Sequence, residues 1–108
     1  MKVNSQRIGC RIRAARNKLE WRQDDLADRI GKSTTYVGMI ERGERLPTLD
    51  TFVDILTALE VTADELLCDV VKYGYQTRLM QYDKRIKQLN QTDREKLYKI
   101  IDAYLEDV

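Results

Sequence analysis

The chain has 108 residues, 43% hydrophobic and 34% charged, with one proline and five glycines, the composition of one globular domain or a small domain plus a helical accessory. It carries 19 Lys/Arg against 18 Asp/Glu and no histidine, so the commonest acid-base catalyst is missing, and the isolated Cys10 and Cys68, without CxxC spacing, match neither zinc-ligand nor Cys/His nucleophile patterns. No Gly-rich phosphate loop, Ser-x-x-Lys pattern, apolar run of roughly 20 residues or signal-peptide core occurs, so a cytoplasmic, non-enzymatic protein with no cofactor, metal or membrane contact is expected.

The net charge of +1 conceals a segregation along the chain. Residues 1–45 hold eleven Lys/Arg and six Asp/Glu, net +5; residues 46–71 hold six acids and no base, net −6; residues 72–108 return to net +2. A basic first segment followed by an acidic one describes a polarised molecule whose first part can face polyanions.

Ser5 is predicted to cap a first helix with Ile8, Ile12, Ala15 and Leu19 at helical spacing and Arg7, Arg11, Arg13, Arg16 and Lys18 in other directions, mostly as a solvated face. Trp21 and Leu26 have the spacing of a hydrophobic staple around a second start, where Asp24 and Asp25 oppose the helix dipole. Leu26, Ala27 and Ile30 should face inward. Gly31 suits a left-handed helix end, and Ser33 can cap the next helix within two residues. That helix should run from Thr34 to about Glu41, with Val37 and Ile40 buried and Gly43 closing it. Pro47 and Thr48 announce a fourth helix with Leu49, Phe52, Ile55, Leu56 and Leu59 on one broad stripe. Thr62-Ala-Asp-Glu65 is a capping box for a short fifth helix beginning near Ala63.

Beyond it, Val71, Tyr75, Leu79, Tyr82, Ile86 and Leu89 alternate spacings of four and three, the pattern of a packing seam on one long helix whose first turn Gly74 weakens. Thr92-Asp-Arg-Glu95 reads as a second capping box, opening a last helix with Leu97, Ile100, Ile101, Tyr104 and Leu105 on one face. The expected fold is all-α: a five-helix domain over residues 1–69, followed by a two-helix hairpin over residues 70–108.

From Gln23 to Ile40 the chain has what reading duplex DNA requires: a short helix to cross the backbone, a glycine turn, and a second helix to enter the major groove. With Gln23, Ala27, Gly31, Val37 and Ile40 in register, then IERGERLP from Ile40 and VTADELL from Val61, the stretch Ile8 to Leu67 resembles the phage repressor/Cro type of helix-turn-helix domain, also called the xenobiotic-response-element family. The resemblance implies that Gln23 meets the phosphate backbone and braces the recognition helix. It places Thr34, Thr35, Gly38 and Met39 at base edges, where threonine can hydrogen-bond and touch a thymine methyl while methionine offers apolar contact. Ser33, Tyr36, Arg42 and Arg45 fall at phosphate-side positions, and Arg16 and Glu41 where related domains form an internal salt bridge.

Three residues depart from the family pattern. Arg22 stands where a small polar cap usually precedes the glutamine; it cannot accept amide hydrogen bonds but can meet a phosphate. Gly38 costs its helix roughly 1 kcal/mol relative to alanine yet permits close backbone approach. Glu60 replaces the glycine that commonly ends the fourth helix.

The expected function is sequence-specific transcriptional regulation, a repressor on double-stranded DNA with a palindromic operator; the alternative is a protein-interaction module such as an antitoxin or adaptor. No small-molecule effector is evident. Homodimerisation is expected through the hairpin, by way of Tyr75, Leu79, Tyr82, Ile86, Leu89, Leu97, Ile101, Tyr104 and Leu105, with packing on the first domain as the competing arrangement.

Overall fold

The computed structural model describes residues 2–108 and, among them, seven helices and no strand. They are α1 (Ser5–Lys18), α2 (Gln23–Ile30), α3 (Thr34–Glu41), α4 (Leu49–Leu59), α5 (Ala63–Leu67), α6 (Tyr75–Lys87) and α7 (Gln91–Glu106). The all-helical expectation holds. Two compact units divide the chain, the first ending at Thr77 and the second running Arg78–Val108.

In the first unit, α3 packs between α1 and α2, α2 also meets α4, and α1 meets α5. Ile8 and Ile12 of α1, Leu26, Ala27 and Ile30 of α2, Val37 and Ile40 of α3, Ile55 and Leu59 of α4 and Leu66 of α5 form one core. Ala15, Trp21, Phe52 and Leu56 pack against it, half-buried. Leu49, expected on the buried stripe, is instead 77% exposed, because at the first position of α4 it lies beyond the reach of the neighbouring helices.

Most helix ends follow the local chemistry. Thr62 Oγ1 accepts from the Glu65 N–H at 3.2 Å while Glu65 accepts from the Thr62 N–H at 3.1 Å, the capping box in full. Two starts differ from expectation. Asn4, not Ser5, caps α1, its Oδ1 accepting from the Arg7 N–H at 3.2 Å. Ser5 is thereby released to donate its hydroxyl to the Gly43 carbonyl at 2.7 Å, tying α1 to the end of α3. Likewise Asn90, not Thr92, caps α7, accepting from the Asp93 N–H at 2.8 Å. Asparagine competes at least as well as serine or threonine for the cap, so the earlier residue wins.

Close helix approach is set by two glycines. A Cβ at Gly9 would stand 2.4 Å from the Ile40 carbonyl oxygen, so α1 and α3 touch backbone to side-chain-free backbone. At Gly74 a Cβ would overlap the Cys68 carbonyl. This contact explains why the stretch after α5 forms turns, with Val71 N–H donating to Leu67 O at 3.1 Å, rather than the first turn of the long helix expected from Val71. α6 begins only at Tyr75.

In the second unit, the end of α6 and α7 form a hairpin whose corner is closed by Arg94. Its guanidinium donates to the carbonyls of Ile86 at 3.3 Å, Lys87 at 3.3 Å and Leu89 at 3.0 Å, satisfying acceptors that the end of α6 leaves without helical partners. Neither α6 nor α7 contains a buried residue. Leu79, Tyr82, Ile86, Leu89, Leu97 and Ile101 line an open groove of about 940 Å³ between the two helices. Among the described residues, no helix is long and apolar enough to cross a membrane.

Candidate nucleic-acid interface

Gly31 ends α2 with φ 67° and ψ 35°, a left-handed conformation in which glycine escapes the Cβ penalty. Ser33 then caps α3, its Oγ accepting from the Tyr36 N–H at 3.0 Å. A turn of three residues thus separates two helices of eight residues each. Val37 and Ile40 anchor α3 in the core, so the opposite side of the helix must face outward.

A buried polar cluster holds the inner side. Arg16 donates from Nε and Nη2 to the two Glu41 carboxylate oxygens at 2.6 and 2.9 Å, and from Nη1 to the Trp21 carbonyl at 2.7 Å. Arg16 and Glu41 are 7% and 6% exposed, so the pair locks α1, the α1–α2 link and the end of α3 together. The hydrogen bond to Glu41 is the main cause that raises the Arg16 pKa above its ordinary value, keeping the guanidinium charged despite burial. Gln23 extends the cluster outward, donating from Nε2 to Glu41 Oε1 at 3.1 Å. This bond uses one of the two protons of the Gln23 amide.

On the outer side, Thr34 and Thr35 are exposed at the start of α3 and Met39 is half-buried one turn later. Gly38 is buried: the Arg42 guanidinium folds over it, and a Cβ there would stand 2.9 Å from Arg42 Nη1 and 3.6 Å from Gln23 Oε1. Arg42 donates to Glu44 at 3.0 Å, which holds the Glu44 carboxyl below its ordinary pKa and raises that of Arg42. Both side chains are more than half exposed, so the pair is readily exchanged for another anion. Arg22 is exposed, and its N–H donates to Asp25 Oδ2 at 2.7 Å, so Asp25 satisfies the N–H of the cap residue, while among the described residues no side chain accepts from the first N–H groups of α2.

Tyr36 sits half-buried with Lys32 Nζ 5.5 Å and the Arg45 guanidinium 5.3 Å from its ring centroid. The ring gathers two cations beside α3. Lys32 was absent from the sequence-derived site; its position four residues before Tyr36 was the available signal, obscured because the glycine turn intervenes. Asp24 was missed as well, and its carboxylate accepts the Thr34 hydroxyl proton at 2.5 Å. Arg11, expected on the solvated face, instead makes a two-point ion pair with Asp69 at 2.6 and 3.1 Å.

Two short helices joined by a glycine turn, with the second pinned in the core along one side and flanked by cations on the other, define a helix-turn-helix module. The helix-turn-helix family model HTH_3 matches residues 12–66, and the chain belongs to this family. It is 33% identical over 95 residues, covering 88% of this chain and 84% of the relative, to the cryptic phage CTXphi transcriptional repressor RstR of Vibrio cholerae serotype O1. It is 41% identical over 58 residues, covering 54% of this chain and 84% of the relative, to the HTH-type transcriptional regulator YazB of Bacillus subtilis. Among solved structures, the restriction-modification controller protein C.AhdI from Aeromonas hydrophila aligns with TM-score 0.54 and 34% identity over 56% of this chain and 92% of its own. The family is one of DNA-binding transcription regulators.

Proposed function

We propose that this chain is a cytoplasmic, sequence-specific transcriptional repressor that inserts α3 into the major groove of duplex DNA. The observation that carries this reading is the two-sided α3: Val37, Ile40 and Glu41 fixed within the domain, Thr34, Thr35 and Met39 presented away from it. Thr34, Thr35 and Met39 read base edges, and Gly38 lets the helix backbone approach the groove. Arg22, Gln23, Ser33, Tyr36, Arg42 and Arg45 address the phosphates, Gln23 through its remaining amide proton and Tyr36 by holding Arg45 at its ring. Residues 1–69 serve as the DNA-binding domain and residues 70–108 as the dimerisation element.

The partner of the hairpin is a second copy of the chain. A helix pair that buries none of its side chains lacks the apolar burial needed to be stable alone. Tyr75, Leu79, Tyr82, Ile86, Leu89, Leu97, Ile101, Tyr104 and Leu105 supply a seam that an identical seam can cover about a twofold axis. Two recognition helices paired in this way suit a palindromic operator, whose half-sites lie about 34 Å apart on one side of the duplex.

Sites enriched by the full chain from genomic fragments, followed by titrations on a recovered site and on random DNA, test the reading. Thr35→Ala and Met39→Ala are expected to lose discrimination between the two DNAs more than nonspecific affinity. Arg42→Gln with Arg45→Gln should weaken both and reduce the salt slope by about 0.9 per lost phosphate contact. Equal losses on both DNAs for the α3 variants, or an unchanged salt slope for the arginine pair, would remove these residues from the interface. Sedimentation of the full chain and of Leu79→Asp with Ile101→Asp tests the pairing: a wild-type monomer at micromolar concentration that still binds a palindromic site tightly would sink it.

A further inference from the structure

The two adjacent carboxylates at the start of α2 are used differently. Asp25 turns back to the Arg22 N–H at 2.7 Å and so completes its own helix. Asp24 reaches across to the next helix, where its Oδ1 accepts the Thr34 hydroxyl proton at 2.5 Å. Both Asp24 and Thr34 are exposed, and they stand at the first turns of α2 and α3, on the side where Thr35 also emerges.

A carboxylate here is electrostatically out of place for a domain that binds a polyanion, since it opposes the phosphates that Arg22, Gln23 and Ser33 address. It is not needed as a cap. Its effect on Thr34 is chemical: a free threonine hydroxyl both donates and accepts, but one whose proton is committed to a carboxylate can only accept. The second Asp24 oxygen is an acceptor too. Together the two side chains present acceptors and no donor to whatever approaches the tip of α3. In the major groove the donors are the adenine N6 and cytosine N4 amino groups, whereas guanine N7 and O6 and thymine O4 are acceptors that such a surface repels.

We propose that Asp24 is a specificity-determining residue that, by accepting the Thr34 hydroxyl's hydrogen bond, makes the tip of α3 select an amino group of adenine or cytosine on the strand it faces. The inference rests on the reading that α3 enters the major groove. Asp24 acts by polarising Thr34, and its cost to general DNA affinity is the counterpart of that selection.

The test uses the full chain on a site it selects from a random duplex library. Each adenine or cytosine of one half-site is replaced in turn by an analogue lacking the N6 or N4 amino group. For the wild type, loss of one such amino group should weaken binding about fivefold. The same analogue should cost Thr34→Val little, because valine lacks the acceptor, while Asp24→Ala and Asp24→Asn should each tolerate guanine or thymine at that position, because the alanine variant frees the Thr34 hydroxyl to donate and asparagine brings an amide donor of its own. Both aspartate variants should also bind random DNA more tightly than the wild type, because a carboxylate that opposes the phosphates is gone. The inference is overturned if the Asp24 variants reject guanine and thymine at that position as strongly as the wild type does, if no amino group is sensed through Thr34, or if random-DNA affinity is unchanged in both. Failure of the wild type to enrich any sequence would instead overturn the DNA-reading function itself, and this inference with it.

Discussion

The five helices from Ser5 to Leu67 place Ile12, Leu26, Val37, Ile40, Ile55 and Leu66 at 2% exposure or less, whereas α6 and α7, longer than most of them, bury no residue. Both regions carry apolar residues at helical spacing, and both contain side-chain-capped helix starts, Ser33 at α3 and Asn90 at α7. Five short helices can surround a common centre, so each apolar stripe meets others from several directions; two helices meet along one line and leave their stripes half open. The first region is therefore held by its own core and a buried ion pair, whereas the second relies on half-buried apolar contacts and on Arg94 closing its corner.

The largest expected effect breaks the first region. Glu41→Ala leaves the Arg16 charge buried without its bidentate partner and releases Gln23, which should destabilise the first unit by about 3–5 kcal/mol, read by denaturant unfolding. A loss under about 1 kcal/mol would show that solvent replaces the carboxylate and that the cluster is not what locks α1 to α3. Arg94→Ala acts on the second region alone. It strips the donors from three carbonyls at the end of α6 and should lower protection of the amides of residues 84–97 by about 1–2 kcal/mol in hydrogen exchange, leaving the core amides of α2 and α3 as they were. Equal losses in both regions would mean that they unfold together.

The smallest effect has the opposite sign. Glu60 ends α4 in a left-handed conformation, φ 57°, that glycine adopts without a Cβ penalty. Glu60→Gly should raise the stability of the first unit by about 0.5–1 kcal/mol, visible as a higher melting temperature. A lower melting temperature would mean that the glutamate side chain contributes more than its backbone strain costs.

Much of this molecule was legible from local pattern. The bounds of α3, the left-handed turn at Gly31, the Ser33 cap and the Thr62–Glu65 box each depend on chemistry within a few residues of one another. The core residues Ile8, Ile12, Leu26, Ile30, Val37 and Ile40 follow from a period that any helix must obey. Where two capping residues competed within two positions, as Asn4 with Ser5 and Asn90 with Thr92, pattern named a cap but not the winner.

What tertiary structure decided was every pairing between distant residues. Spacing placed Arg11 among solvated arginines, yet Asp69 lies within reach of it only because α5 packs on α1. Gly74 read as a weak point in a helix, but the Cys68 carbonyl against it requires a residue without a side chain and delays α6. At the interface, the sequence by itself determined which helix faces outward and which residue types it offers. Only the packing of α2 against α3 brought Asp24 to Thr34, and only the turn before α3 and the loop after it brought Lys32 and Arg45 to one ring, because a side chain's hydrogen-bonding role and charge environment depend on neighbours that periodicity along a single helix does not encode.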